Sequence, residues 1–268
     1  MSASSTPADR SADDAARQAR AWQALRRHTP ARIGLGTTGS AIPTRHLLEF
    51  QLDHAEARDA VHLPLDVDRL AGGLTGLLGG APVLSVRSAA EDRASYLQRP
   101  DLGRRLHPRA AATLPHGEYD IAFVVADGLS ARAVHDHAPG LLREVAAALP
   151  DWRAAPVVVA TGARVALGDE VARALGARMV AVLIGERPGL SSADSLGVYL
   201  TYDPSVPRTD AERNCLSNIR PPHGTDYPTA AATLVRLMTQ ARLRRLTGVA
   251  LKDDSPALPA PPDRPLSR

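Results

Sequence analysis

Three short apolar runs constrain this chain more than any other feature: Asp120-IAFVVA-Asp127, Ala155-PVVVAT-Gly162 and Met179-VAVLI-Gly185. Each is rich in β-branched residues and none alternates with polar ones, so neither face of such a strand could meet water. Helix-like stretches separate them, around Ala138–Leu149 and Gly168–Leu175. Buried strands alternating with helices predict an α/β fold with a Rossmann-like, mostly parallel sheet covered on both faces. Val83-LSV-Arg87 is a candidate first strand and Gly197-VYLTY-Asp203 a further or edge strand. Aromatic residues make up only 3% of the chain, so the packing must rest on Ala, Leu and Val.

Before this pattern, residues 11–80 read as a helical N-terminal region, after a polar, disordered tail at 1–10. Ser11 offers an N-cap, Asp13 and Asp14 a negative first turn, and Arg26, Arg27 and His28 a positive end. Further helices are expected from about Pro43 to Ala60 and over Val67–Leu78. The Rossmann-like domain then spans 81–251. A last helix is expected from Pro228, with Gly248 as its C′ residue. Residues 252–268, with SPALPAPPDRPLSR, read as a disordered Pro-rich tail.

The bulk properties exclude several classes. A net charge of +3 carried by scattered arginines, without interleaved aromatics, gives no nucleic-acid signature. Cys215 is the only cysteine, which rules out an internal disulfide framework and a cysteine metal cluster. The N-terminus lacks the apolar core of a signal peptide, and no apolar run approaches the ~20 residues of a membrane helix. The expectation is a soluble, cytoplasmic protein.

Candidate chemistry clusters at strand ends, where open parallel sheets bind ligands. Asp127 and Ser130 follow the first run, as ligand contacts or as caps of the next helix. Val165 follows the second, in Gly162-Ala-Arg-Val165, where exposed peptide groups suit a polar ligand edge and an ordinary turn fits equally. Glu186 follows the third, either as an acceptor-only site carboxylate or as half of a surface pair with Arg187. Cys215, with His223 nearby in sequence, is either a thiol nucleophile or an inert residue. His135-Asp136-His137 reads as a solvated polar loop. Gly34-Leu-Gly36-Thr-Thr-Gly39 has the spacing of a nicotinamide-dinucleotide fingerprint, but only Ala31-Arg32-Ile33 precedes it and Pro43 delays the helix, so a packing role is favoured over an oxidoreductase.

Five strings, in order, carry a resemblance: Ala31-RIGLGTT-Gly39, Ser95-YLQRPDLGRR-Leu106, Val125-ADGL-Ser130, Ile184-GERPG-Leu190 and Asn214-CLSNI-Arg220. From about Thr29 to Leu251 the sequence resembles the small (light) subunits of ethanolamine ammonia-lyase. The resemblance implies a subunit that is not catalytic alone and pairs with a larger barrel subunit holding ethanolamine. It implies adenosylcobalamin between the two, base-on, with its nucleotide tail towards the small subunit and with contacts falling on Val165, Glu186 and Cys215. The implied chemistry is radical: cobalt–carbon homolysis, hydrogen abstraction from ethanolamine, then rearrangement and elimination to acetaldehyde and ammonia. Asp136-His137-Ala-Pro-Gly140 lacks the spacing of the base-off motif, so no cobalt ligand is expected from this chain. Arg104 and Arg105 face the partner, the cofactor phosphate or water. Some relatives are packaged in bacterial microcompartments, and Ser11–His28 could serve as a targeting or docking helix.

Overall fold

A computed structural model describes residues 7–29 and 31–252. The chain divides between His54 and Ala55 into two compact units. The first contains α1 (Pro7–Arg26) and the start of α2 (Thr44–His62). Helix α1 begins at Pro7, a residue whose fixed φ suits a first helical turn, so Ser11 lies inside the helix rather than capping it. Gly34, Gly36 and Gly39 all take positive φ. A side chain on Gly34 would run into the Trp22 ring, so that glycine is there for packing. The next helix starts only at Thr44, too late to offer its N-terminus to a pyrophosphate bound at this loop.

The second unit is the sheet. Its strands are β1 (Leu84–Arg87), β2 (Ala122–Ala126), β3 (Val158–Thr161), β4 (Met179–Gly185), β5 (Leu196–Tyr202) and β6 (Asn214–Ile219), in the order β1-β3-β2-β4-β5-β6. The first four are parallel, with Val124 opposite both Val158 and Val182. Strand β5 runs antiparallel to β4 and β6 antiparallel to β5. The sheet is therefore mixed, so the expectation of an α/β fold holds while that of a Rossmann-like, mostly parallel sheet holds only for β1 to β4. The cause is local: only ten residues separate Gly185 from Leu196, too few for a crossover helix, so the chain turns back as a hairpin. That return makes Gly197-VYLTY-Asp203 an interior strand, and leaves β6 at the edge.

Every residue of β2 and β4 is buried. Phe123, Val125, Ala181 and Leu183 point into one core, shared with α3 (Val67–Leu74), α6 (Ala131–Ala147) and α8 (Tyr227–Arg244). Ala122, Val124, Val180, Val182 and Ile184 point into the other, beneath α7 (Leu167–Leu175). Two smaller helices, α4 (Arg93–Gln98) and α5 (Pro100–Gly103), follow β1. Helix α3 is shorter than expected, ending at Leu74 before the Gly76 and Gly79-Gly80 turns. Helix α8 ends at Arg244 with Arg245 in the left-handed region, so Gly248 is not its C′ residue. A buried bidentate pair anchors the far end of the sheet. Arg213 Nη1 and Nη2 donate to the two Asp169 oxygens at 2.8 and 2.6 Å, and Nη1 also to Thr201 Oγ1 at 2.7 Å.

Candidate functional site

In an open sheet the crevice forms between neighbouring strands whose following helices take opposite faces. Here those strands are β2 and β3, leading to α6 and α7, and protein groups fill the place. Asp127 accepts the amides of Gly162 and Ala163 at 2.9 and 3.0 Å, with Arg93 Nη1 at 3.7 Å. Burial, ahead of the opposing amide bonds, raises the Asp127 carboxyl above its ordinary value. Tyr96 donates to the Ala163 carbonyl at 3.3 Å between the guanidiniums of Arg93 and Arg164, 4.7 and 4.5 Å from its ring centroid. Its phenol is pushed up to about 12, first by burial. Ser130 accepts the Ala133 amide and caps α6, while Asp127 ties two loops together instead of capping.

The polar groups left open lie further along the sheet. Val182, Tyr199 and Cys215 occupy one register row across β4, β5 and β6. Helix α7 packs on β4 at this face, whereas α8 packs on β5 and β6 through residues of the opposite core. Cys215 and Ser217 are exposed and Tyr199 is half-buried. The result is a sheet face with an apolar floor and a polar rim.

Glu186 forms that rim just past β4. Ser195 Oγ donates to its Oε2 at 2.5 Å, Ser217 Oγ to Oε1 at 2.6 Å, and the Asn218 amide to Oε2 at 3.3 Å. Two oxygens offer about four acceptor positions, so three bonds orient the carboxylate and leave capacity for one further donor. Gly197 makes the room: a Cβ there would lie 2.9 Å from Oε1. Arg187 is exposed, and no ion pair joins it to Glu186 among the described residues, so the surface-pair reading finds no support. Val165 sits in the turn before α7, packed against the same apolar cluster as Tyr199. Its carbonyl accepts the Gly168 amide at 3.0 Å, and its own N–H has no partner among the described residues. Cys215 is exposed as a residue, yet its thiol is partly desolvated beside Tyr199. That desolvation raises the thiol above its ordinary value, ahead of the Tyr199 hydrogen bond that lowers it. His223 makes no side-chain hydrogen bond to it among the described residues, and a raised thiol disfavours the thiolate that a nucleophile needs.

Val165, Glu186 and Cys215 thus share one face. Sequence reasoning missed Ser195, Tyr199, Gly197 and Ser217, which complete it; Ser217 lies two residues from Cys215, the same-face spacing of a strand. It also misjudged His137, which is buried in α6 and not in a solvated loop. There Nδ1 lies 2.9 Å from the Tyr227 hydroxyl. No group of three or more potential metal ligands occurs among the described residues, and none of their helices is long and apolar enough to cross a membrane.

Comparison with known proteins bears on this face. The family model described as ethanolamine ammonia-lyase light chain matches residues 19–252. The ethanolamine ammonia-lyase small subunit of Azotobacter vinelandii is 54% identical over 244 residues, 87% of this chain and 88% of that protein. Proteins of the same name from Rhodococcus erythropolis and Pseudomonas putida GB-1 are 51% and 55% identical over 237 and 242 residues. They cover 88% and 87% of this chain, and 91% and 88% of their own lengths. A match of this extent takes in the whole sheet and every residue of the face just described, and the chain belongs to the ethanolamine ammonia-lyase light-chain family.

Proposed function

We propose that this chain is the small subunit of an adenosylcobalamin-dependent ethanolamine ammonia-lyase, a carbon–nitrogen lyase that works only with a larger, barrel-type subunit. The large subunit holds ethanolamine, and this chain supplies one wall of the cofactor site at the subunit interface, in the cytoplasm or in a microcompartment lumen. When bound, adenosylcobalamin supplies the radical chemistry that turns ethanolamine into acetaldehyde and ammonia. The observation carrying the reading is the Glu186 carboxylate, oriented by Ser195, Ser217 and the Asn218 amide beside an uncovered apolar floor.

The donor set fits the group. Cobalamin presents amide-bearing side chains around a broad apolar ring, so it needs acceptors at a rim and flat apolar surface between them. Glu186 would accept an amide N–H, the Val165 N–H, without a partner among the described residues, would donate to an amide carbonyl, and Tyr199 and Cys215 would give the ring its floor. None of these groups moves a proton in the reaction. They bind, orient and keep water from the interface.

Co-expression with a barrel-type large subunit should yield cobalamin-dependent release of acetaldehyde from ethanolamine. A pair that assembles and binds cobalamin but leaves ethanolamine untouched would show the substrate to be wrong.

A further inference from the structure

At the opposite edge of the sheet, away from β6, a cleft of about 450 Å³ opens along β1. Its lining contains Arg87, His107 and Arg109, the hydroxyls of Ser85, Thr113 and Thr161, and no carboxylate. Arg87 Nη2 meets His107 Nε2 at 2.9 Å, which fixes the guanidinium at the cleft wall and leaves its other N–H groups without partners among the described residues. Arg109 is exposed, and its guanidinium is likewise unpaired among them.

The backbone along β1 is of mixed polarity at this edge. The amides of Leu84 and Ser88 turn inward to the Val157 and Thr161 carbonyls at 2.9 and 3.0 Å. By strand alternation, the amide and carbonyl of Ser85 and of Arg87 both turn outward, and there the Arg87 carbonyl accepts the His107 amide at 3.0 Å. The remaining N–H groups of Arg87, the Arg109 guanidinium and the hydroxyls therefore converge on a space large enough for a small metabolite, and no carboxylate lines it.

We propose that this cleft is a second ligand site, for a small phosphate-type oxyanion, separate from the Glu186 face. Paired arginine forks match the planar edges of phosphate oxygens, and Val67, Val86 and Ala110 give a ligand's carbon skeleton an apolar wall. The same phosphate chemistry could come from the nucleotide portion of cobalamin or from a free phosphorylated molecule, and the proposal commits to the free one.

The test is a calorimetric titration of the full chain, and of the assembled pair, with pyrophosphate at moderate ionic strength. Saturable one-to-one binding is expected, weakened about tenfold or more in Arg87→Gln/Arg109→Gln, since each loses charge-assisted bonds. Arg104→Gln/Arg105→Gln, equal in charge change but outside the cleft lining, should leave it unchanged. Circular dichroism checks that both variants fold. Absence of binding, or equal weakening by the two variants, overturns the site. Competition by cobalamin in the assembled pair would assign the phosphate to the cofactor. Binding of an acidic hexapeptide in place of pyrophosphate would make the cleft a docking groove. Either result overturns the proposal.

Discussion

Ser217 and Glu186, 31 residues apart in the chain, meet through a 2.6 Å hydrogen bond that joins the end of β4 to the edge strand β6. The bond crosses above β5, where Gly197 has no side chain to block it. A carboxylate held in this way is pre-set for a ligand donor, because its orientation is fixed before the ligand arrives.

Glu186→Gln tests that arrangement. An amide offers one acceptor end, and its NH₂ cannot accept from the serine hydroxyls, so the rim loses orientation as well as charge. The affinity of the assembled pair for cobalamin should fall about tenfold, the effect of losing one charge-assisted bond. Spectrophotometric titration measures it. Unchanged affinity with assembly intact would assign Glu186 a purely structural role.

Gly197→Ala attacks the same carboxylate without touching it chemically. The new Cβ would come within 2.9 Å of Oε1 and 3.2 Å of Cγ, so Glu186 must swing aside. Cobalamin affinity should drop while the urea midpoint changes little, because the displaced side chain is half-buried and can move towards solvent. A variant that keeps full affinity would show that the glycine is not what makes room for the acid.

How far these relationships could be read from the sequence depends on burial. Strands β2, β3 and β4 announce themselves because both faces are covered, which forces continuous apolar runs. Strand β6 does not: it is an edge strand with one face open, so Asn214, Ser217 and Asn218 interrupt its pattern and it resembles a loop. The reversal at β5 was equally hidden, since an apolar strand carries no mark of its direction. Glu186 could be placed past a strand end, but its three partners come from Ser195 and from β6, and that pairing exists only in the folded register. His137 escaped for another reason. Its neighbours Asp136 and His135 are polar, and only the approach of Tyr227 from α8 explains why an imidazole is buried there.

Asp169→Ala should destabilise the fold far more than it disturbs the rim. Arg213 is wholly buried at its side chain and keeps its charge inside the protein through the two bonds to Asp169. Removing the acid leaves an uncompensated buried cation, a loss of about 3–5 kcal/mol. Urea unfolding measures it. A loss within the ~0.5 kcal/mol of a surface substitution would mean that Thr201 and Asp210 suffice to hold the guanidinium.

Asp226 gives a pH-dependent prediction with a defined sign. It is the N-cap of α8, accepting the Thr229 amide at 2.9 Å, and its hydrogen bonds to Thr229 hold its carboxyl below the ordinary value of 3.8. A carboxyl depressed on folding stabilises the native state above its unfolded pKa, and that contribution fades as the pH falls through the folded value. Asp226→Ala should therefore cost about 1 kcal/mol near neutral pH, as loss of a helix cap does. The gap between variant and parent should narrow once the pH drops below about 4, where this carboxyl begins to protonate in the unfolded chain, and close further as the pH falls through the folded value. Urea midpoints of both proteins across the acid range measure the gap. A difference that stays constant into strong acid would mean that the side chain contributes by packing or by a neutral hydrogen bond, and not through its charged cap on α8.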